Sequence, residues 1–267
     1  MKPTIALIGT GWLGGPLLKS LSARNYNLIA TTRHTDLASS TPDLNSCVQY
    51  LELDLESKPQ VPESILNSDI IIYTIPPLKL DLISHFFNQI SSDKKILITT
   101  STSVYSREMN EVDEKTPLNP NTSNSPLLVE TEHFLKSKFK NCTIVRPGGL
   151  YGLKRHPVYF LAGKNDLKNG DDFLHLASLN DCINGISLIL EKNRWGEIFN
   201  FVCDLRITKN EYYTYMAKKL GLPEIHYQAL VLKNHSSRLK ISNEYTKKIL
   251  GLKFEDPKDY RTLDNLC

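Results

Sequence analysis

Along the first half of the chain, short β-branched runs alternate with stretches whose apolar side chains recur every three or four residues. "TIALIG" (4–9) predicts a buried strand, and "GGPLLKSLSARN" (14–25) predicts a helix with Leu17, Leu18 and Leu21 on one side. Further strands are expected at 27–33, 48–54, 69–77, 94–105 and 142–152, with a helix at 81–90. Pro76 and Pro77 stop the 69–77 run. Short apolar strands separated by helices imply parallel βαβ units covered on both faces, wound by right-handed crossovers into a doubly wound sheet. After Gly152 the pattern loosens. Helices are expected at 178–192 (Ile183, Ile186 and Leu190 on one stripe) and 208–222, where Thr208 suits the N-cap and Gly221 lies past the end. A strand at 196–204 falls between them.

Composition narrows the function classes. The chain has 267 residues, 40% of them hydrophobic, enough for one large domain or one with a small appendage. A net charge of +3 gives no reason to expect nucleic acid or membrane as a partner. The basic run 233–253 alternates with apolar residues and reads as a solvated helix face. Five cysteines (Cys47, Cys142, Cys182, Cys203, Cys267) show no paired spacing, so neither a metal site nor a disulfide framework is expected. "MKPTIALIGTG" runs straight into a strand, and no apolar run approaches the ~20 residues a bilayer requires. The expected setting is cytoplasmic.

The most specific local chemistry is "GTGWLGG", which places Gly9, Gly11 and Gly14 between a predicted strand and a predicted helix. Gly9 permits the tight turn, Gly11 lets the backbone approach a pyrophosphate, and Gly14 lets the helix pack on the strand. Thr10, Trp12 and Leu13 complete the loop, and the helix N-terminus faces the phosphates. A reader of the NAD ribose ends its second strand in Asp or Glu. This chain has Thr31, Thr32, Arg33 and His34 there. Thr32 and Arg33 suit a 2′-phosphate, so the expected cofactor is NADP, with NAD as the alternative. Asp54 is placed at the adenine edge or as an ordinary strand-end aspartate, and Thr74 and Ile75 along the cofactor channel or in a proline-terminated core strand.

Taken in order, "GTGWLGG", "TSTSVYS" (100–106), "RPGGLYG" (146–152), "ASLNDC" (177–182), "GEIFNFVCD" (196–204) and "SNEYTKKILGLKFEDPKDYRTL" (242–263) resemble the extended short-chain dehydrogenases/reductases of the NAD(P)-dependent epimerase/dehydratase type. The closing segment resembles the tail of an atypical bacterial subgroup. The resemblance implies an α/β fold: a Rossmann-like doubly wound parallel sheet (1–152 plus about 175–205) with a small C-terminal substrate lobe (about 153–174 and 206–267) over the sheet's carboxyl edge. It implies an oxidoreductase or epimerase/dehydratase acting on a small molecule, often a nucleotide-sugar. It also implies catalysis by a Ser or Thr with a Tyr-x-x-x-Lys pair. Ser101 matches the serine position, and Pro147 and Gly148 match a loop near the nicotinamide. Tyr105 and Tyr151 match aromatic positions that are mainly structural.

The chain departs from that pattern at one place. Aligned on Glu132 to Leu135, the Tyr position falls on Asn124 and the Lys position on Leu128, and no tyrosine lies between Tyr105 and Tyr151. Asparagine does not titrate near neutrality, and leucine can neither hold a ribose nor lower a partner's pKa. The segment is nonetheless a sound helix start: Ser125 and Pro126 suit N-cap and N1, Leu128, Thr131, Leu135 and Phe139 form an apolar stripe, and Glu130, Glu132 and Lys136 are expected on the polar face. Three readings stand: an enzyme with a relocated acid/base (Tyr105, Tyr151, His156 or His175) beside Ser101, a non-catalytic NADP-binding sensor or scaffold, and a decayed enzyme that binds its cofactor only weakly. Each is compatible with a monomer or a homodimer.

Overall fold

The patterned runs become strands and helices in nearly the expected places. The computed structural model describes residues 2–33, 48–228 and 239–260; His34, Cys47, Cys267 and the first part of the basic run (233–238) lie outside them. The elements up to the middle of the chain are β1 (Thr4–Ile8), α1 (Gly14–Ala23), β2 (Asn27–Thr32), β3 (Val48–Glu52), α2 (Glu63–Leu66), β4 (Ile70–Tyr73), α3 (Leu80–Asn88), β5 (Lys95–Thr99), β6 (Glu111–Val112) and α4 (Pro126–Lys138). There follow β7 (Cys142–Pro147), β8 (Gly149–Tyr151), α5 (Pro157–Leu161), β9 (Leu176–Ser178), α6 (Leu179–Glu191), β10 (Ile198–Phe201), α7 (Lys209–Lys219), β11 (Lys240–Ile241) and α8 (Glu244–Leu250). No helix among the described residues is long and apolar enough to cross a membrane.

Seven strands form one sheet in the order β10-β7-β5-β4-β1-β2-β3. The registered pairs from β3 through β7 are parallel. The β7–β10 bonds, Ile144 N–H to the Glu197 carbonyl and Gly148 N–H to the Phe201 carbonyl, advance in the same direction on both strands. The order reverses between β1 and β4, which is the switch point where open α/β sheets bind ligands. The chain divides into two compact units: residues 1–101, 125–146 and 186–199 in the first, and 102–124, 147–185 and 200–267 in the second.

The first unit has an almost wholly apolar core: Ala6, Ile8, Ile71, Tyr73, Ile96, Ile98 and Ile144 from the sheet pack with Phe86, Phe87, Leu135 and Phe139 from the helices. Phe87 makes an edge contact to Phe139 at 5.8 Å and to Phe86 at 5.0 Å between ring centres. One charged pair interrupts this core. Glu132 on α4 and Arg146 on β7 are each 2% exposed, with Arg146 Nη2 donating to Glu132 Oε2 at 2.5 Å and Nε to Oε1 at 3.1 Å. Thr100 Oγ1 donates to the same Oε1 at 2.7 Å. The polar-face expectation for Glu132 is therefore corrected. It lies four residues after Leu128 and three before Leu135, on the buried arc of α4, and its charge is matched by Arg146 rather than by water.

The second unit holds its own core of Tyr151, Val158, Leu174, Leu176, Tyr212, Tyr213, Met216, Ile225 and Tyr260. The expected 142–152 strand is two strands, because β8 turns away after Pro147 and pairs in parallel with β9. α7 starts with the capping box Thr208/Glu211, and Gly221 past its end has φ +63°. His156, a candidate for the relocated base, sits fully buried in this core. Its Nδ1 accepts from Val158 N–H at the start of α5, so Nε2 carries the proton and donates to Tyr212 Oη at 2.9 Å. Tyr212 Oη donates onward to the Pro257 carbonyl. Burial pushes the His156 imidazole down to about 4. Asp181, at the start of α6 and also buried, accepts from the Ser178 and Glu255 amides and is pushed up to about 6 by burial.

Two stability measurements check this packing. Removing one member of the buried pair leaves the other charge without its partner, so Glu132→Ala is expected to cost about 3–5 kcal/mol in urea unfolding. An apolar replacement of both residues, Glu132→Met with Arg146→Leu, is expected to cost less than the single change. The second concerns pH. The folded-state value of His156 lies below its ordinary 6.5, so its contribution to stability is complete above that value and is lost as pH falls toward about 4. Asp181 acts in the opposite sense: raised from 3.8 to about 6, it favours the fold below 3.8 and that contribution disappears as pH rises through 6. Between pH 6.5 and 4 the His156→Asn variant, which keeps a capping oxygen, is expected to lose stability less steeply than the parent, by up to about 1.4 kcal/mol per pH unit.

Candidate functional site

The glycine loop lies in the first unit, between β1 and α1, at the switch point of the sheet. Gly9 has φ +96°, where a side chain is strained, and a Cβ there would lie 2.7 Å from Ile75 Cγ1. A Cβ on Gly14 would lie 1.9 Å from the Gly9 carbonyl oxygen and 2.8 Å from Thr74 Oγ1. The first residue of α1 thus rests directly on the loop that precedes it. Gly11 differs from both: its φ is outside the left-handed region, and a Cβ would meet nothing within 4 Å among the described residues. Among those residues, the backbone of Gly11 faces open space.

Strands on both sides brace this loop. Gly9 N–H donates to Thr31 Oγ1 at 3.0 Å, and both the amide and the hydroxyl of Thr10 donate to the Thr31 carbonyl at 3.1 Å. Thr74 Oγ1 donates to the Gly9 carbonyl at 2.7 Å. Thr31 and Thr74, each one step past or at the end of a neighbouring strand, therefore fix the loop through hydrogen bonds. Thr31 was not among the expected site residues, and two adjacent threonines closing β2 were the available signal. Leu13, the N-cap of α1, makes no side-chain cap, and no acidic residue stands in the first turn, so the positive end of the helix dipole has no carboxylate of its own helix beside it.

The remaining sequence candidates fall as follows. Thr32 is buried and its carbonyl accepts from Leu53 N–H, while Arg33 is exposed just past the carboxyl end of β2. Asp54 spends one carboxylate oxygen on Glu56 N–H, capping a short 3-10 turn at Leu55–Ser57. Ser101 is half-buried two residues past β5, directly after the Thr100 that donates to Glu132. Leu128 is buried on the first turns of α4. In the second unit, Asn124 is exposed and its side-chain amide donates to the Tyr105 carbonyl at 2.8 Å. Gly148 is packed so closely on β9 that a Cβ would lie 2.6 Å from the His175 carbonyl oxygen. Pro147 closes β7 immediately before it.

The other candidate bases are held in structural roles or pushed away from neutrality. Tyr105 is buried, with its hydroxyl 2.9 Å from both the Asp113 carbonyl and Asn200 Oδ1. Burial drives the Tyr151 hydroxyl well above the ordinary tyrosine range and the His175 imidazole down to about 4. No group of three or more His, Cys, Asp or Glu side chains among the described residues is arranged to hold a metal ion. Cys142, Cys182 and Cys203 are free and buried.

No family model matches the chain. Protein YeeZ of Escherichia coli strain K12 is 31% identical over 231 residues, covering 82% of this chain and 84% of that protein. Among solved structures, UDP-glucuronic acid 4-epimerase from Bacillus cereus, in complex with UDP-glucuronic acid and NAD, superposes with a TM-score of 0.73 at 17% identity, over 95% of this chain and 94% of the other. Gre2 of Candida albicans, in complex with NADPH, superposes with a TM-score of 0.69 at 15% identity, over 96% and 95%. At those identities the two structures speak for the fold. The chain belongs to the family of Escherichia coli protein YeeZ and carries the α/β Rossmann-like fold of short-chain dehydrogenase/reductase-type epimerases and reductases.

Proposed function

We propose that the chain binds a nicotinamide dinucleotide, NADP in preference to NAD, and serves as an oxidoreductase or epimerase-like protein acting on a small molecule. The observation that carries this reading is the glycine loop. Gly9 and Gly14 are filled by protein contacts, whereas Gly11 presents bare backbone to open space at the switch point, beside an uncapped helix N-terminus. A pyrophosphate is the group that such a loop accepts. The preference for NADP rests on the end of β2, which has the exposed Arg33 where a ribose-reading carboxylate would stand. Structures of the same fold support the class: the Bacillus cereus epimerase was solved with NAD and Gre2 with NADPH. Asp54 and the Thr74–Ile75 pair are the further cofactor contacts we propose.

The chemistry available for turnover is spare. Ser101 is the candidate to orient a substrate oxygen, and Asn124 and Leu128 supply no proton relay. The second reading, a cofactor-binding sensor or scaffold, draws on that same substitution together with the burial of His156 and Tyr105. A nucleotide-sugar is one substrate class to test, since the Bacillus cereus epimerase was solved with UDP-glucuronic acid.

Fluorescence titration with NADPH and NADH tests the cofactor. NADPH is expected to bind more tightly, and Arg33→Ala to weaken NADPH by about tenfold while leaving NADH nearly unchanged, the loss of one charge-assisted hydrogen bond. Tighter binding of NADH by the parent chain would contradict the NADP assignment. Hydride transfer from bound NADPH is then followed across carbonyl compounds and nucleotide-sugars. Turnover that falls about a hundredfold in Ser101→Ala supports the enzyme. Tight cofactor binding with no oxidation by any substrate decides for the sensor.

A further inference from the structure

The second unit contains a pocket of about 100 Å³ that plays no part in the cofactor reading. Four segments build it: Glu111 of β6, residues 173–175 leading into β9, residues 203–206 after β10, and residues 240–244 from β11 into α8. Phe173, Cys203, Leu205 and Ile241 give it an apolar lining. A single water needs about 10–15 Å³ measured in this way, so the pocket has room for on the order of seven to ten non-hydrogen atoms. That is several times smaller than a nucleotide-sugar.

Most of the charged groups around it are already spent on one another. Glu111 is ion-paired with Lys240. Lys247 bridges Asp204 and Glu244 at 2.9 Å each, and Asn243 Nδ2 donates to Asp204 at 2.8 Å. Two polar groups in the lining have no hydrogen bond or ion pair among the described residues. One is the exposed guanidinium of Arg206, whose charge reaches only as far as lowering Asp204. The other is the imidazole of His175, largely buried between Leu174 and Leu176. Burial, with Lys209 nearby, holds that ring neutral at physiological pH, so it offers one donor and one acceptor. A guanidinium with nothing to bind and a neutral imidazole beside apolar walls make a specific combination. The first takes a carboxylate or phosphate, and the second takes a hydroxyl, which both donates and accepts.

We infer that this pocket binds a small hydroxylated organic anion of roughly ten non-hydrogen atoms, its carboxylate or phosphate on Arg206 and a hydroxyl on His175. The site is formed within the second unit alone and does not rest on the nicotinamide assignment.

The test uses the full chain without cofactor, in calorimetric titrations with glycerate, erythronate, glycerol 3-phosphate, inorganic phosphate and glycerol. At least one of the three hydroxylated anions is expected to bind, and Arg206→Ala, a change at an exposed side chain, is expected to weaken it by about tenfold or more. His175→Phe, which keeps a ring and removes both nitrogens, is expected to weaken the same ligand and to leave any binding of inorganic phosphate unchanged. A carboxylate or a phosphate ligand emerging as the tighter one supports the inference either way and identifies the headgroup. Absence of binding by all three anions, equal affinity in Arg206→Ala, or glycerol binding as tightly as its 3-phosphate would overturn it. None of these outcomes depends on whether NADPH binds.

Discussion

The glycine loop depends on the absence of one side chain. With hydrogen at the Cα of Gly14, the start of α1 can sit against the Gly9 carbonyl, where even a methyl group would overlap it at 1.9 Å. That approach lets Thr74 reach the same carbonyl from β4, and it allows Thr31 to hold Gly9 and Thr10 from β2. Three parallel strands and a helix are tied to one short loop by close packing and hydrogen bonds. The position left unfilled is Gly11. We propose that this loop, braced by its neighbours and open at Gly11, is pre-organised for a ligand that approaches the backbone itself.

A second constraint acts one strand further along. The Glu132–Arg146 pair lies in a core otherwise made of aliphatic and aromatic groups, and it draws in Thr100 from the end of β5. Buried pairs of this kind add little net stability against an apolar substitute, but they tolerate few alternative arrangements, because a slip would bury a charge without its partner. Here the pair ties α4 to β7 and, through Thr100, to the end of β5 next to Ser101. The neighbouring Leu128 is part of the buried face of the same helix. The Leu128 side chain is thus committed to packing.

Much of this was legible in the residues. Alternating apolar runs located the strands of the parallel sheet, and "GTGWLGG" in its strand–turn–helix setting located the loop, since glycine spacing reports directly on backbone approach. What was missed depends on tertiary partners. Glu132 reads as a surface residue by composition, although its i, i+4 and i+7 spacing with Leu128 and Leu135 places it on the buried arc. Only Arg146 across the core explains how a charge can lie there. His156 reads as a candidate for the relocated base, and it is a buried helix cap. Thr31 was noticed as part of a hydroxyl-rich strand end, but the Gly9 bond that gives it a role is a contact between strands. The pairing of Arg206 with His175 in one pocket joins segments roughly thirty residues apart, beyond the reach of local pattern.

The central claim is that the open backbone at Gly11 is the seat of a dinucleotide pyrophosphate, and Gly11→Ala tests it most directly. Among the described residues the added methyl meets no atom within 4 Å, and it meets no backbone strain, so the thermal unfolding midpoint should be unchanged. The same methyl occupies the space through which a pyrophosphate reaches the loop, so NADPH affinity measured by titration should fall by about tenfold or more. An unchanged midpoint with an unchanged NADPH affinity would contradict the account.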